Sequence, residues 1–285
     1  MKIIKILIVA AVCLVFTGCK EYGEKRIVNL ITVNSDKIAV YYYDFSKEEV
    51  TYLKEEKVNT GIKNTLVSML SEADYDLKLC RYAVVSDEII HNKIKELYFA
   101  LTDNRFAPDI IILEGKTNLE PEEYKKTDEY AYPLYNYSVK NNMISCAVEK
   151  LDNNEKSIVI DNSFYRLLNR QQSFAFDILS RTKKQGTYVW ENNETELSAE
   201  LDKINTFYSV ENRTLYINIT AVIKSYKGMQ AGSEYKKIIK DLIEKDICNN
   251  VTEMLEDKIM TNKFNLLLYE KSEHYDKINV NVNVF

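Results

Sequence analysis

Glycine and proline are scarce, seven and three in 285 residues. The glycine-rich loops that cradle phosphate, GxGxxG and GxxxxGK(S/T), do not occur. Connections must therefore be short or built from polar residues. Histidine is rarer still. His91 falls in an expected helix and His274 in a polar stretch, which suits surface or hydrogen-bonded roles better than catalysis. No zinc-hydrolase motif is present, and the five cysteines, Cys13, Cys19, Cys80, Cys146 and Cys248, show no CxxC metal spacing. Positive charge is not in excess either: 38 Lys and Arg stand against 43 Asp and Glu, a formal charge of −5. That balance argues against nucleic acid as a partner, and against anionic lipid held by charge alone. These absences leave no cofactor and no resident metal to expect.

What is present begins at the N-terminus. Lys2 and Lys5 precede an unbroken apolar run, Ile6 to Phe16, followed by the small residues Thr17-Gly18. This is the layout of an export signal. The run stops well short of the about 20 apolar residues that a spanning helix needs. A cysteine, Cys19, stands where the chain turns polar. The tetrapeptide Phe16-Thr17-Gly18-Cys19 resembles the bacterial lipobox, with phenylalanine where leucine is usual. The resemblance implies cleavage after Gly18 and acylation of Cys19, with the acyl chains (palmitate or similar) burying about 0.8 kcal/mol per CH₂ in a membrane. Loss of Lys2 and Lys5 with residues 1–18 takes the formal charge from −5 to −7. Three widely spaced cysteines then remain in the body, too few to pair completely, and are expected as buried free thiols.

Periodicity divides the body. Ile27 to Val33 and Lys37 to Asp44 are β-branched and aromatic runs around Asn34-Ser35-Asp36, the pattern of a hairpin. Glu49 to Lys54 is a candidate third strand. Ile62, Leu66, Leu70 and Ala73 share a helical face over residues 60–73. Leu77 to Val85, a helix from Ser86 or Asp87 to about Asp103, and the apolar run Asp109 to Leu113 read as a β-α-β unit. Residues 116–132 are polar, carry Pro121, and read as a linker or surface excursion. Beyond it, strands are expected over Asn136 to Val148 and Ser157 to Ile160, around a polar turn at Asp152 to Lys156. A short helix is expected over Ser163 to Arg170. Alternating segments follow at Ser173 to Ser180, Gly186 to Glu191, Glu196 to Ile204 and Thr214 to Lys224. A long helix from Ser233 to about Phe264 would span about 45 Å at about 1.5 Å per residue. Its polar face, with Lys240 and Glu244, is expected in solvent. Lys277 to Phe285 alternates valine and isoleucine with asparagine, a half-buried strand.

The fold class expected is α+β: mixed sheets flanked by helices, with an antiparallel C-terminal sheet packed on a long helix. The domain limits expected are a signal at residues 1–18, an N-terminal α/β domain at 19–116, a linker at 117–135 and a C-terminal α+β domain at 136–285.

Four segments in this order carry a family resemblance. They are the lipobox at Cys19; the stretch 61–116, with GIKNTLVSML, CRYAVVSDEII and ALTDNRFAPDIIILEGK; RTLYINITAVIKSYK at 213–227 before the long helix; and KINVNVNVF at the end. Together they resemble the Ger(x)C family, the C-subunit lipoproteins of spore nutrient-germinant receptors. The chain departs from the family at Lys20-Glu21, where Trp-Asp is common, at Lys224-Ser225, and at residues 265–269. The resemblance implies a non-enzymatic subunit, lipid-anchored on the outer face of the spore inner membrane. It would act in germination by contact with a multipass membrane subunit and a second large subunit.

Two other classes compete. A solute-binding lipoprotein of a transporter would show repeated β-α units in two lobes, whereas residues 136–224 read mostly as strands. A cell-wall hydrolase would need a carboxylate pair, for which Asp109 and Glu114 flank a strand. Tyrosine is abundant, 21 residues, and is enriched at interfaces. Tyr41-Tyr42-Tyr43 suits strand packing. Tyr130, Tyr132, Tyr135 and Tyr137, in and beside the linker, are the candidate contact surface.

Overall fold

The computed structural model describes residues 26–44, 52–71, 75–103, 106, 109–118, 134–151, 153–180, 185–192, 195–227, 233–266 and 277–285. It is α+β, as the periodicity predicts, and divides into two compact units. Residues 1–125 and 133–135 form the first; residues 126–132 and 136–285 form the second.

In the first unit β1 (Arg26–Val33) and β2 (Lys37–Asp44) form the expected hairpin. Its turn is closed by Asn34, whose Oδ1 accepts from the backbone N–H of Asp36 at 3.0 Å and Lys37 at 2.7 Å. β3 (Tyr52–Lys57) pairs with β2 and lies a few residues later than its sequence suggests. α1 (Ile62–Ser71) buries Ile62, Leu66 and Leu70 as predicted, with Thr65 and Met69. β4 is the short Tyr75–Asp76, beside β1.

Two expectations in this unit are corrected. The strand read over 77–85 survives only as β5 (Tyr82–Val85). Residues 77–80 instead make a turn, closed by Cys80 N–H to Leu77 O at 3.1 Å. That turn points Leu79 into solvent at 58% exposure. The helix read over 87–103 is two, α2 (Asp87–Asn92) and α3 (Ile94–Leu101), broken at Lys93 where φ is −130° and ψ is 13°. β6 (Ile111–Glu114) follows. The strand order β6-β5-β1-β2-β3 is parallel between β6, β5 and β1 and antiparallel beyond. Val28, Ile31, Val33, Ile38, Ala83, Val84 and Leu113 make its dry interior.

The second unit opens with a 3₁₀ turn, Leu134–Asn136, then β7 (Ser138–Lys140), β8 (Met143–Lys150) and β9 (Lys156–Ile160). Where a helix was expected at 163–170, the chain forms β10 (Ser163–Leu168), antiparallel to β9. The cause lies in the connection. Asp161 and Asn162 both adopt positive φ, 52° and 71°, the two-residue turn that matches strand twist. Asn141-Asn142 and Asn212-Arg213 do the same at two other hairpins. Asparagine and aspartate thus replace the missing glycine at most of these positions, because their side chains tolerate the left-handed region.

Next comes α4 (Arg170–Leu179), in place of the strand expected at 173–180. A reciprocal cap starts it. Asn169 Oδ1 accepts from Gln172 N–H at 2.8 Å, and Gln172 Oε1 accepts from Asn169 N–H at 3.2 Å. β11 (Gly186–Asn192), β12 (Thr195–Glu211) and β13 (Thr214–Lys227) form an antiparallel sheet, with Leu215, Ile217, Ile219 and Ala221 buried as the alternation requires. β14 (Lys277–Val284) joins this sheet beside β13, but parallel to it.

The long helix is α5 (Ser233–Glu256), about 36 Å at about 1.5 Å per residue, followed by the separate α6 (Lys258–Lys263). Asp257 divides them. Its backbone leaves the helical region, ψ 86°, and its carboxylate caps α6 by accepting from Met260 N–H at 3.0 Å. Ile243, Ile247, Val251 and Leu255 stay buried, but Ile259, past the break, is turned out at 54% exposure.

Candidate functional site

The chemically distinctive cluster lies in the second unit, where two antiparallel strands and a helix meet. Glu149 on β8 stands directly opposite Lys156 on β9 in the ladder. Asp177 comes from the last turn of α4. Lys156 Nζ lies 3.3 Å from Glu149 Oε2 and 3.4 Å from Asp177 Oδ1. The side chains are exposed by only 1%, 3% and 3%, so water screens none of these charges.

Burial alone would lower the Lys156 pKa, since an ammonium is costly in an apolar interior. Asp177 and then Glu149 outweigh it by charge and by hydrogen bonding, and hold the amine above its ordinary value. Every residue of β9 is buried, and so is every residue of α4 from Ser173 to Leu179. A charged triad in such surroundings is costly to desolvate. Breaking it by removing one partner costs about 3–5 kcal/mol in comparable cases.

The sequence reading missed all three residues. By sequence Lys156 falls in a polar turn and Asp177 in an alternating segment. The recoverable signal is Asn169-x-x-Gln172 before an apolar run, a capping box that starts a helix and so carries Asp177 inward.

A second polar network lies at the α5–α6 break. Asp257 accepts from Tyr165 Oη at 3.2 Å and lies 3.6 Å from Arg166. Glu253 accepts from Gln172 at 2.8 Å and lies 3.5 Å from Arg166. This ties β10 and the start of α4 to the helix break. Lys263 and Asp161 add a bidentate pair at 2.5–2.6 Å.

The residues expected to carry function are placed as follows. Gly18, Cys19, Tyr130 and Tyr132 lie outside the described residues, as does His274. Tyr135 falls in the 3₁₀ turn. Tyr137 is buried at 6% exposure, so its ring is covered by its own chain. His91 sits on the surface of α2 with Nε2 3.4 Å from Asp87. Asp109 is exposed and Glu114 is buried at the far end of β6. Cys80 and Cys146 are buried free thiols; Cys248 is a half-buried one. Among the described residues there is no group of side chains spaced to hold a metal, and no helix long and apolar enough to cross a membrane.

No protein-family model matches the chain, and no curated protein matches it significantly. Among solved structures it is similar to the crystal structure of the GerBC protein, at 11% identity and a TM-score of 0.46, over 87% of this chain and 94% of that one. A weaker likeness, 8% identity and a TM-score of 0.17, is to a reductive activator for a corrinoid, iron-sulfur protein, over 69% of this chain and 31% of that one. The α+β class rests on the elements described above.

Proposed function

We propose that the chain is a lipid-anchored, non-enzymatic subunit of a spore nutrient-germinant receptor, working by contact with a multipass membrane subunit and a second large subunit. The observation that carries this reading is the ordered set of four sequence matches to the Ger(x)C family, from the lipobox at Cys19 to KINVNVNVF. The architecture is compatible with it. The third and fourth matches fall on β13 and β14, adjacent parallel strands joined through α5 and α6. The solute-binding alternative calls for repeated β-α units. Residues 138–227 are instead hairpins with one helix inserted.

Membrane fractionation of wild type and Cys19→Ala tests the anchor. Wild type should pellet with membrane, and the variant should remain soluble or unprocessed. Equal membrane retention of a non-acylated variant would defeat the anchor. Spores lacking the protein should respond more slowly to at least one nutrient; unchanged germination to every nutrient tried would defeat the receptor role.

A further inference from the structure

We propose that Lys156 and Asp177 condense into an intramolecular amide, with Glu149 as the proton carrier. Three observations meet at this site. The amine nitrogen is 3.4 Å from Asp177 Oδ1, an oxygen on the carbon it would attack, and proximity of this kind is what an intramolecular step requires. A second carboxylate, Glu149, stands 3.3 Å from the same nitrogen, where it can take and return protons. All three groups are held by regular elements, two paired strands and a helix, and are sealed from water. The pair Lys263–Asp161 is closer, but both side chains are more than a third exposed, so water competes there and the pair stays ionic.

The step balances without an outside reagent. Glu149 relays one proton from Nζ to the Asp177 carboxyl, giving amine and acid at unchanged net charge. The nitrogen lone pair attacks Cγ and an N–C bond forms. Glu149 then takes a second proton from nitrogen and delivers it to the departing hydroxyl. The C–O bond breaks and one water leaves. Lys156 and Asp177 lose their charges in one neutral amide, and one water is released. The remaining amide N–H faces Glu149, which accepts from it. The product ties β9 to α4 in a chain whose described cysteines are all free.

Intact-mass measurement of the purified full-length chain tests this, with digestion under denaturing conditions. The wild type should be lighter by one water, and a branched peptide should join Lys156 to Asp177. Glu149→Gln should restore the unreacted mass in protein that retains its circular dichroism. Folded wild type at full mass overturns the proposal without recourse to any variant. So does a water loss confined to a linear peptide around an aspartate. Amide formation in Glu149→Gln at the wild-type rate overturns the relay.

Discussion

Val284 donates its backbone N–H to Glu244 Oε1 at 2.7 Å, so a carboxylate in the middle of α5 holds the end of β14. Glu244 was expected in solvent with Lys240. Its ion pair with Lys240, 3.7 Å at 41% and 23% side-chain exposure, is the lesser contact. Exposed i,i+4 pairs contribute about 0.3–0.5 kcal/mol, whereas a hydrogen bond to a charged group contributes about 1.5–3 kcal/mol. Glu244→Ala should therefore destabilise the second unit by about 1.5–3 kcal/mol, and Lys240→Ala by less than about 0.5 kcal/mol. Urea unfolding gives both values, and faster amide exchange at Val284 in the first variant locates the effect. Equal losses in the two would show that the ion pair matters as much as the strand contact.

Gly61 should not tolerate a side chain. Its φ is +95°, and a Cβ there would collide with the Glu96 carboxylate. That carboxylate caps α1 from α3 by accepting Ile62 N–H at 2.6 Å. Gly61→Ala combines backbone strain with loss of the cap, and should cost more than about 1–2 kcal/mol. A thermal melt within error of wild type would mean that Glu96 can retreat freely.

Asn169→Ala removes one half of the capping box and strands the other. Helix α4 should lose about 1 kcal/mol. Because α4 carries Asp177 to Lys156, the loss should appear in global stability rather than as local fraying. Hydrogen exchange at the first turn of α4, compared with that at β9, separates the two. Loosening confined to residues 170–173 would show that the triad holds the helix without its cap.

Alkali should weaken the fold. Burial pushes the Cys80 thiol up, and it does the same to Cys146. Tyr188 is raised by burial and by its hydroxyl's contact with Asp246. These groups stay neutral in the folded chain while the unfolded chain ionises, at about 8.5 for cysteine and about 10 for tyrosine. The stability they contribute is whole below those values and is lost as pH rises toward the folded pKa. The urea midpoint should fall from about pH 8.5, and more steeply above about pH 10. A flat midpoint from neutrality to that range would contradict the burial of these groups. In native protein near neutral pH, a thiol reagent should modify Cys248 and spare Cys80 and Cys146.

Most element types were legible because their hydrophobic periods were long and unbroken. The β1–β2 hairpin, the buried stripe of β13 and the apolar face of α5 follow from spacing alone. The failures are local. Ser163–Leu168 and Arg170–Leu179 exchanged types because both segments are short. Their identities are set by Asp161-Asn162 and by the Asn169–Gln172 cap rather than by their own periods. The break at Asp257 went unread because Ile259 keeps the apolar spacing while facing solvent. The triad was hidden for a related reason. Buried Lys156 looks, in sequence, like any charged residue beside a turn, and only the ladder sets it opposite Glu149.

The parallel pairing of β13 with β14 has a consequence for how the chain is made. A hairpin strand meets its neighbour within moments of leaving the ribosome, but β14 can reach β13 only after all of α5 and α6 have been translated. Until then one flank of β13 is an open ladder of unpaired amides and carbonyls. The nascent second unit must cross that interval with its sheet incomplete and this flank unpaired.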